Sequence, residues 1–462
     1  MAIKAELSRR DARFLDMSLN APMWRVVLYV GTPLALYQGL AALFTILDTM
    51  MASHISKESV SAVAYLAQLN LMLSSVGGGL AVGAGIQISR AYGEGDLVMV
   101  RRRVSSLYAV SLGAGLFMLA VILPFTDGFL RLAGTPAELI AVGRRYFIVQ
   151  LFVMVVNFLN SVYIAVERAR GNARRIFLLN LAVILVKLSL TAYFVYVLES
   201  DLVMIAVASL LSELTMFVFA VRYSLVGDSA FSFSAKAVAL REKRVVEPMI
   251  RNSLPVIAEK ALFAFGKTIV NSMSTVYGAL TVGALGVSNN LGGIATNPQN
   301  GFQQGSSAII SQNYGAGKFR RVLDAFYATA LINMLLGALI SGLELWQLDL
   351  LSGLFDGGSE AFRRTIVSVY RFEALGAVPL GFNAAVMALL YGLGKTRMTL
   401  ELNFARVFVF RIPVFWFLQH CTSMGEKSVG VVMMVSNIAV AVAAAVVSVI
   451  VIRDFKREYH LN

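Results

Sequence analysis

Twelve times along this chain an apolar run comes close to, or exceeds, the roughly 20 residues a helix needs to cross the hydrocarbon core of a bilayer. The runs fall at residues 25–53, 59–89, 104–125, 139–166, 176–198, 202–223, 249–276, 280–311, 322–348, 365–392, 400–419 and 429–452. Of the 462 residues 58% are hydrophobic and only 15% charged, with mean hydropathy +0.72. A soluble domain is about one quarter charged and alternates apolar with polar positions at helix or strand period. The expectation is an all-α polytopic membrane protein with twelve transmembrane helices.

The formal charge of +13 arises from 40 Lys and Arg against 27 Asp and Glu, and the basic residues sit in alternate breaks between runs. Lys4, Arg9, Arg10 and Arg13 precede span 1, and Arg101 to Arg103 follow span 2. Arg168, Arg170, Arg174 and Arg175 follow span 4, and Lys236, Arg241, Lys243 and Arg244 follow span 6. Lys318, Arg320 and Arg321, then Lys395 and Arg397, then Arg453, Lys456 and Arg457 complete the set. This placement reflects topology rather than nucleic-acid binding, and it puts both termini in the cytoplasm of a plasma (inner) membrane protein. Span 1 is too long for a signal h-region and contains Asp48, so no cleaved leader is expected. The single Cys421 rules out an internal disulfide or thiolate cluster, and His54, His420 and His460 stand at run edges or the tail. Neither a metal site nor a cofactor is expected, and without a mid-membrane His pair or a nucleophile motif neither is an intramembrane enzyme.

The chain also resembles itself. Ile88-Ser89-Arg90-Ala91-Tyr92-Gly93-Glu94-Gly95 recurs as Ile310-Ser311-Gln312-Asn313-Tyr314-Gly315-Ala316-Gly317. Gly83 pairs with Gly305, Asn160 with Asn383, Gly171 with Gly394, Arg174 with Arg397 and Asn180 with Asn403. Spans 1–6 and 7–12 therefore read as two copies of one six-helix unit, residues 1–226 and 248–462, joined by a polar cytoplasmic linker at 227–247. An even number of helices per copy gives both the same orientation. Two such parallel-repeat bundles around a central cleft suit alternating access, with a binding site near the midplane. One chain suffices to form such a cleft, so a functional monomer is expected.

These segments resemble the multidrug and toxic compound extrusion (MATE) family. Span 1 holds Pro33 and Ile46-Leu47-Asp48-Thr49, close to the family's Pro…Val-Asp-Thr pattern, and span 2 ends Gly79-Leu80-Ala81-Val82-Gly83-Ala84-Gly85 before Gly93-Glu94-Gly95-Asp96. Ser253-Leu254-Pro255 opens span 7, Gln312-Asn313-Tyr314-Gly315-Ala316-Gly317-Lys318 closes span 8, and Arg406 stands seven residues before Pro413. The resemblance implies a secondary antiporter that exports small amphiphilic organic compounds (drugs, toxins or metabolites) against an inward gradient of H+ or Na+. It implies that Asp48 couples the cation. The chain departs from the family where span 5 carries Lys187 in place of an acid, with Val183 and Thr45 where relatives hold Asn. A flippase for a lipid-linked or otherwise anionic substrate is the alternative within transport, and a channel is a further one, although no filter-like signature appears.

A charge at mid-membrane costs about 2.5–3.5 kcal/mol even on the mildest scale, so each one asks for a partner or a role. Asp48, Lys187, Asn160, Asn180 and Glu213 form the candidate cation-coupling set. Lys187 is either a counter-ion that hinders proton uptake by Asp48 until the pair separates, or half of a fixed ion pair. The candidate substrate-cleft set is Glu259, Lys260, Lys267 and Asn271 of span 7, Asn297, Asn300, Gln303 and Gln304 of span 8, and Arg406. Lys260 and Lys267 share a helix face, and a cleft with so many cations suits an anionic or zwitterionic amphiphile. Arg411 either joins that cleft or caps carbonyls freed at Pro413. Span 8 is expected to line the cleft and bend at Pro298. Glu167 and Arg371 to Glu373 lie near run ends, where snorkelling to the interface accounts for them.

Overall fold

Once a helix is committed to hydrocarbon its backbone groups must be paired internally, and the described residues are predominantly helical. The computed structural model describes residues 6–53, 57–225, 229–355 and 359–461, and among these all side chains except those of 42–53, 57–65 and 279. Twelve long helices are present in this part of the chain. They are α1 (Met23–Ser53), α2 (Lys57–Glu94), α3 (Leu97–Ile122), α4 (Ala137–Ala169), α5 (Ala173–Val197), α6 (Leu202–Leu225), α7 (Lys243–Ser274), α8 (Ala279–Gly315), α9 (Phe319–Trp346), α10 (Glu360–Gly392), α11 (396–421) and α12 (Lys427–Glu458). Most run past the apolar segment that announced them, because the backbone stays helical until a cap ends it. At the start of α3, for example, the Asp96 carboxylate accepts from the Met99 N–H at 2.9 Å. Eight of the twelve are long and apolar enough to cross a membrane outright. Large apolar side chains such as Phe117, Leu339 and Val446 are exposed on them, as a lipid-facing surface requires. The chain is an integral multi-pass membrane protein.

The repeat is visible in the turns. Gly95 and Gly317 have φ of +77° and +70°, and Gly171 and Gly394 have +72° and +74°. Each pair ends its helix with the same two bonds of a Schellman motif. Asp96 N–H reaches Ala91 O at 3.1 Å where Lys318 N–H reaches Asn313 O at 2.9 Å, and Asn172 N–H to Glu167 O (2.8 Å) matches Lys395 N–H to Leu390 O (2.8 Å). Packing repeats as well. In the first copy α2 and α6 pack on α4, with α3 against α2 and α4; in the second α8 and α12 pack on α10, with α9 against α8 and α10.

By packing, the chain forms two compact units, Met1–Asn20 with Leu43–Ala261 (unit 1), and Ala21–Ala42 with Leu262–Asn462 (unit 2). The first half of α1 thus packs among helices of the second repeat and the first half of α7 among those of the first. Two small-xxx-small stripes permit the close approach. In unit 1 a Cβ placed on Gly79 would lie 2.8 Å from the Ile257 nitrogen, and one on Gly83 would lie 2.5 Å from the Ser253 backbone. In unit 2 a Cβ on Gly301 would lie 2.5 Å from the Ala35 backbone, and one on Gly305 would lie 3.4 Å from Gly31 Cα. The Ser253 hydroxyl adds a 3.4 Å hydrogen bond to the Leu80 carbonyl across the same α2–α7 contact.

A short helix, Arg9–Asn20, is clamped onto unit 1. Its Asp11, 1% exposed, pairs with Arg170 at 2.9 Å, and the Tyr92 hydroxyl donates to the Asp11 carbonyl at 2.5 Å. Glu167, also 1% exposed, pairs with Arg170 at 3.2 Å and Arg175 at 3.4 Å and accepts from Asn172. It is therefore a buried ion-pair centre rather than a snorkelling side chain. Residues 229–242 also pack on this unit, with Phe231 edge-on to Tyr92, Ser234 N–H on Ser105 Oγ at 3.0 Å and Ala239 N–H on Ser106 Oγ at 3.0 Å.

Gly83→Ala should drive α2 and α7 apart and cost about 1–3 kcal/mol, as overpacking does. Gly113→Ala, where a Cβ meets nothing within 4 Å, should be neutral or slightly stabilising. Thermal unfolding of the detergent-solubilised protein compares the two.

Candidate functional site

In unit 1 the polar residues converge on Glu213 of α6. Asn160, buried on α4, donates to the Glu213 carboxylate at 2.7 Å and to its main-chain carbonyl at 3.0 Å. Asn157, one turn earlier, reaches the other carboxylate oxygen at 3.5 Å. Lys187 of α5 is within electrostatic reach of the same carboxylate. Asn180 turns away from this cluster and donates to the Ile176 carbonyl of its own helix at 2.8 Å. The side chains of Asp48 and Thr45 are not among those described, and His54 lies outside the described residues altogether. Of the coupling set the structure brings together Asn160, Glu213 and Lys187, and adds Asn157.

Glu259 and Lys260 belong to unit 1 as well, because the chain passes from one unit to the other between Ala261 and Leu262. Glu259 is buried. Lys260 is exposed as a residue, but its ammonium lies beside Gly78 and within electrostatic reach of Glu259 and Arg168.

Unit 2 holds a partly open cavity of about 310 Å³. Its floor is α8, where Asn289, Asn297, Gln299, Asn300 and Gln303 all reach it. The amides are there because a helix with this many polar groups has no stable face toward lipid. Gln299 serves packing as well, donating to the Asn333 and Ala377 carbonyls at 3.0 Å each and so tying α8 to α9 and α10. The helix runs unbroken through Pro298 from Ala279 to Gly315. The walls carry the charges, Lys267 from α7, Arg406 and Arg411 from α11, and Glu373 from α10.

Helix α11 is irregular where it supplies the cations. Arg406 stands in a π-helical turn, Ala405–Val409, and Arg411 at the break before Pro413. Arg411 is only 2% exposed. It donates to Ser436 Oγ at 3.0 Å and Asn437 Oδ1 at 3.1 Å, both on α12, so it bridges two helices instead of capping carbonyls at the kink. Arg406 donates to the same Asn437 oxygen at 2.8 Å and lies over the Phe263 ring, 5.4 Å from its centroid. Glu373 accepts from Ser288 Oγ and acts through space on Lys267, Arg406 and Arg411. Its place is inside the bundle, not at the interface where its position near a run end pointed.

Among the cleft residues read from sequence, Lys267, Asn297, Asn300, Gln303 and Arg406 line this cavity. Asn271 is exposed and Gln304 is half-buried, and neither belongs to the lining. Sequence reasoning missed Glu373, Asn437 and Glu344. Glu344 is buried on α9 and accepts at 2.5 Å from the hydroxyl of Tyr370, itself a lining residue. The signal for Glu344 was a lone acid closing an otherwise apolar run.

Comparison with known proteins gives a consistent neighbourhood. The MatE family profile matches residues 33–193 and 255–417. A probable multidrug resistance protein of Bacillus subtilis, YoeA, is 21% identical over 325 residues, covering 69% of this chain and 70% of that one. The multidrug export protein MepA of Staphylococcus aureus is 21% identical over 302 residues, covering 65% and 67%. Among solved structures, an outward-facing multidrug resistance MATE family transporter matches with TM-score 0.92 at 18% identity, over 98% of this chain and 100% of the other. A MOP superfamily transporter from Pyrococcus furiosus, described as having a binding pocket of reverse polarity, matches with TM-score 0.90 at 18% identity over 98% and 99%.

Asn160→Ala removes the nearest donors to a carboxylate inside the bundle and should cost about 1–3 kcal/mol. Asn157→Ala removes only the 3.5 Å contact and should cost a fraction of that. The ratio of the two losses, read from thermal unfolding, checks which amide holds Glu213.

Proposed function

Because this chain belongs to the MatE family of multidrug and toxic compound extrusion transporters, we propose that it is a secondary active antiporter that exports small amphiphilic organic compounds in exchange for H+ or Na+ by alternating access. Its role is transport rather than catalysis. It resides in the plasma membrane with both termini cytoplasmic, and one chain is the working unit. The observation that carries the coupling half of this reading is the Glu213 cluster. A carboxylate whose hydrogen-bond donors are the neutral amides of Asn160 and Asn157 can take up and release a cation without dismantling its surroundings. Lys187 biases that exchange, since a nearby ammonium favours the ionised carboxylate. Asp48, the acid that the family resemblance marks for coupling, completes the set. The export half is supported by the polar cavity of unit 2 and by the multidrug export that names the Staphylococcus aureus relative.

The test is uptake by proteoliposomes of matched cationic and anionic amphiphiles, under an imposed pH gradient without sodium and then under a sodium gradient without a pH difference. Wild-type protein should concentrate substrate under one of the two gradients, and that gradient names the coupling ion. Asp48→Asn and Glu213→Gln should fall to the gradient-free rate. Flux that only equilibrates the substrate and ignores both gradients would refute antiport.

A further inference from the structure

We infer that the cavity inside unit 2 is an anion-binding subsite, built to take the carboxylate of a small amphiphilic organic acid. The inference rests on the export reading above and names the substrate class it serves. Among the described residues of its lining, three cationic side chains, Lys267, Arg406 and Arg411, accompany a single carboxylate, Glu373. With Glu373 ionised the lining keeps a surplus of two positive charges, and with Glu373 protonated a surplus of three. In either condition a cationic ligand meets net repulsion in a medium where charges are poorly screened.

The hydrogen bonding points the same way. The partners of both guanidiniums are neutral, Ser436 and Asn437 for Arg411 and Asn437 for Arg406. Because the two share one acceptor, Asn437 Oδ1, one N–H-bearing end of each guanidinium is held within hydrogen-bond distance of the same atom. That arrangement suits a carboxylate, which accepts two parallel N–H bonds from a guanidinium. The Arg406 Nε is buried and has no acceptor among the described residues. This cluster borders open volume and leaves a buried donor beside it. Phe263, Leu380 and Met433 on the same lining give the organic part of the ligand an apolar wall. The volume of about 310 Å³ lies at the small end of the range for ligand pockets, so the occupant is compact.

The experiment is equilibrium binding of radiolabelled phenylbutyrate to the purified full-length protein in detergent, with phenylbutylamine, the same skeleton with the opposite charge, as competitor. Phenylbutyrate should bind and the amine should not displace it. Lys267→Met should weaken binding at least about tenfold, as loss of one partner of a desolvated charge pair does. Glu373→Gln should tighten it, because the internal competitor for the cations is gone. Arg411 bridges α11 to α12 and its removal risks the fold, so the assay reads Lys267 and Glu373, each variant measured on protein that elutes as a single folded species at a temperature below its own unfolding transition. Preferential binding of the amine, binding indifferent to Lys267→Met, or binding weakened by Glu373→Gln would each overturn the inference. The two proposals fail separately. Lys267-dependent phenylbutyrate binding without gradient-driven uptake in proteoliposomes would refute export alone. Gradient-driven export of a cationic amphiphile that Lys267→Met leaves intact, with no phenylbutyrate binding, would refute the anion subsite alone.

Discussion

A guanidinium taken out of water loses several kcal/mol of hydration that only well-placed acceptors and opposite charge return. Arg411, 2% exposed in the middle of a membrane helix bundle, is the severest instance in this chain. Its needs organise unit 2. Ser436 and Asn437 on α12 accept from it, the backbone of α11 breaks beside it at Pro413, and Glu373 of α10 supplies the countercharge from across the cavity. The same constraint in unit 1 is met around a carboxylate, Glu213, with Asn160 as donor. It is met again where the short Arg9–Asn20 helix docks, with Asp11 and Glu167 enclosing Arg170. Each buried charge thereby fixes two or more helices against one another, something apolar contacts in lipid do weakly because lipid tails are equally apolar.

The repeat supplies the frame on which these clusters stand. Gly79 and Gly83 receive the backbone of α7 in unit 1, and Gly301 and Gly305 receive that of α1 in unit 2. Position for position these are the same contact made twice, Gly79 with Ile257 and Gly301 with Ala35. Each unit is thus completed by half a helix from the other repeat, and neither six-helix copy packs as a self-contained module. The shared frame also makes the differences between the copies meaningful. Where unit 1 gathers its amides around an acid, unit 2 gathers them around two arginines and a lysine.

The helix count and the duplication were legible because their signals are local. Hydropathy over some twenty residues marks a span, and a glycine forced to positive φ marks a helix end whatever surrounds it, hence the agreement at Gly95 with Gly317 and at Gly171 with Gly394. Amides on α8, Lys267 and Arg406 were legible because polar groups in an apolar run have nowhere to go but inward. What failed needed three dimensions. Lys260 and Lys267 share a face of α7, but the helix changes unit between them, so one face meets two environments. Glu373 and Glu167 stand near run ends, where snorkelling is cheap, and only the neighbours Ser288 and Arg170 show that neither needs it. Arg411 beside a proline suggested a cap, since the competing acceptors lie on a helix far along the sequence. The docked Arg9–Asn20 helix gave no hydropathy signal, being short and polar apart from the face that carries Phe14.

On the proposed reading, the reversal of charge between the two clusters is how one chain would separate coupling from cargo. A coupling site has to prefer a small cation and let it go, which favours a carboxylate with neutral donors and a tempering ammonium, the composition around Glu213. A cargo site for an organic anion has to remain tolerable when empty, because three uncompensated cations in a low-dielectric bundle would destabilise it. Glu373 meets that requirement on the proposed reading. Held by Ser288 and acting on Lys267, Arg406 and Arg411 through space, it offsets part of their charge without occupying their donors. An incoming carboxylate then competes with Glu373 for the field while finding the guanidinium N–H groups still available. A chain that instead paired each arginine directly with an acid would gain stability and lose the site.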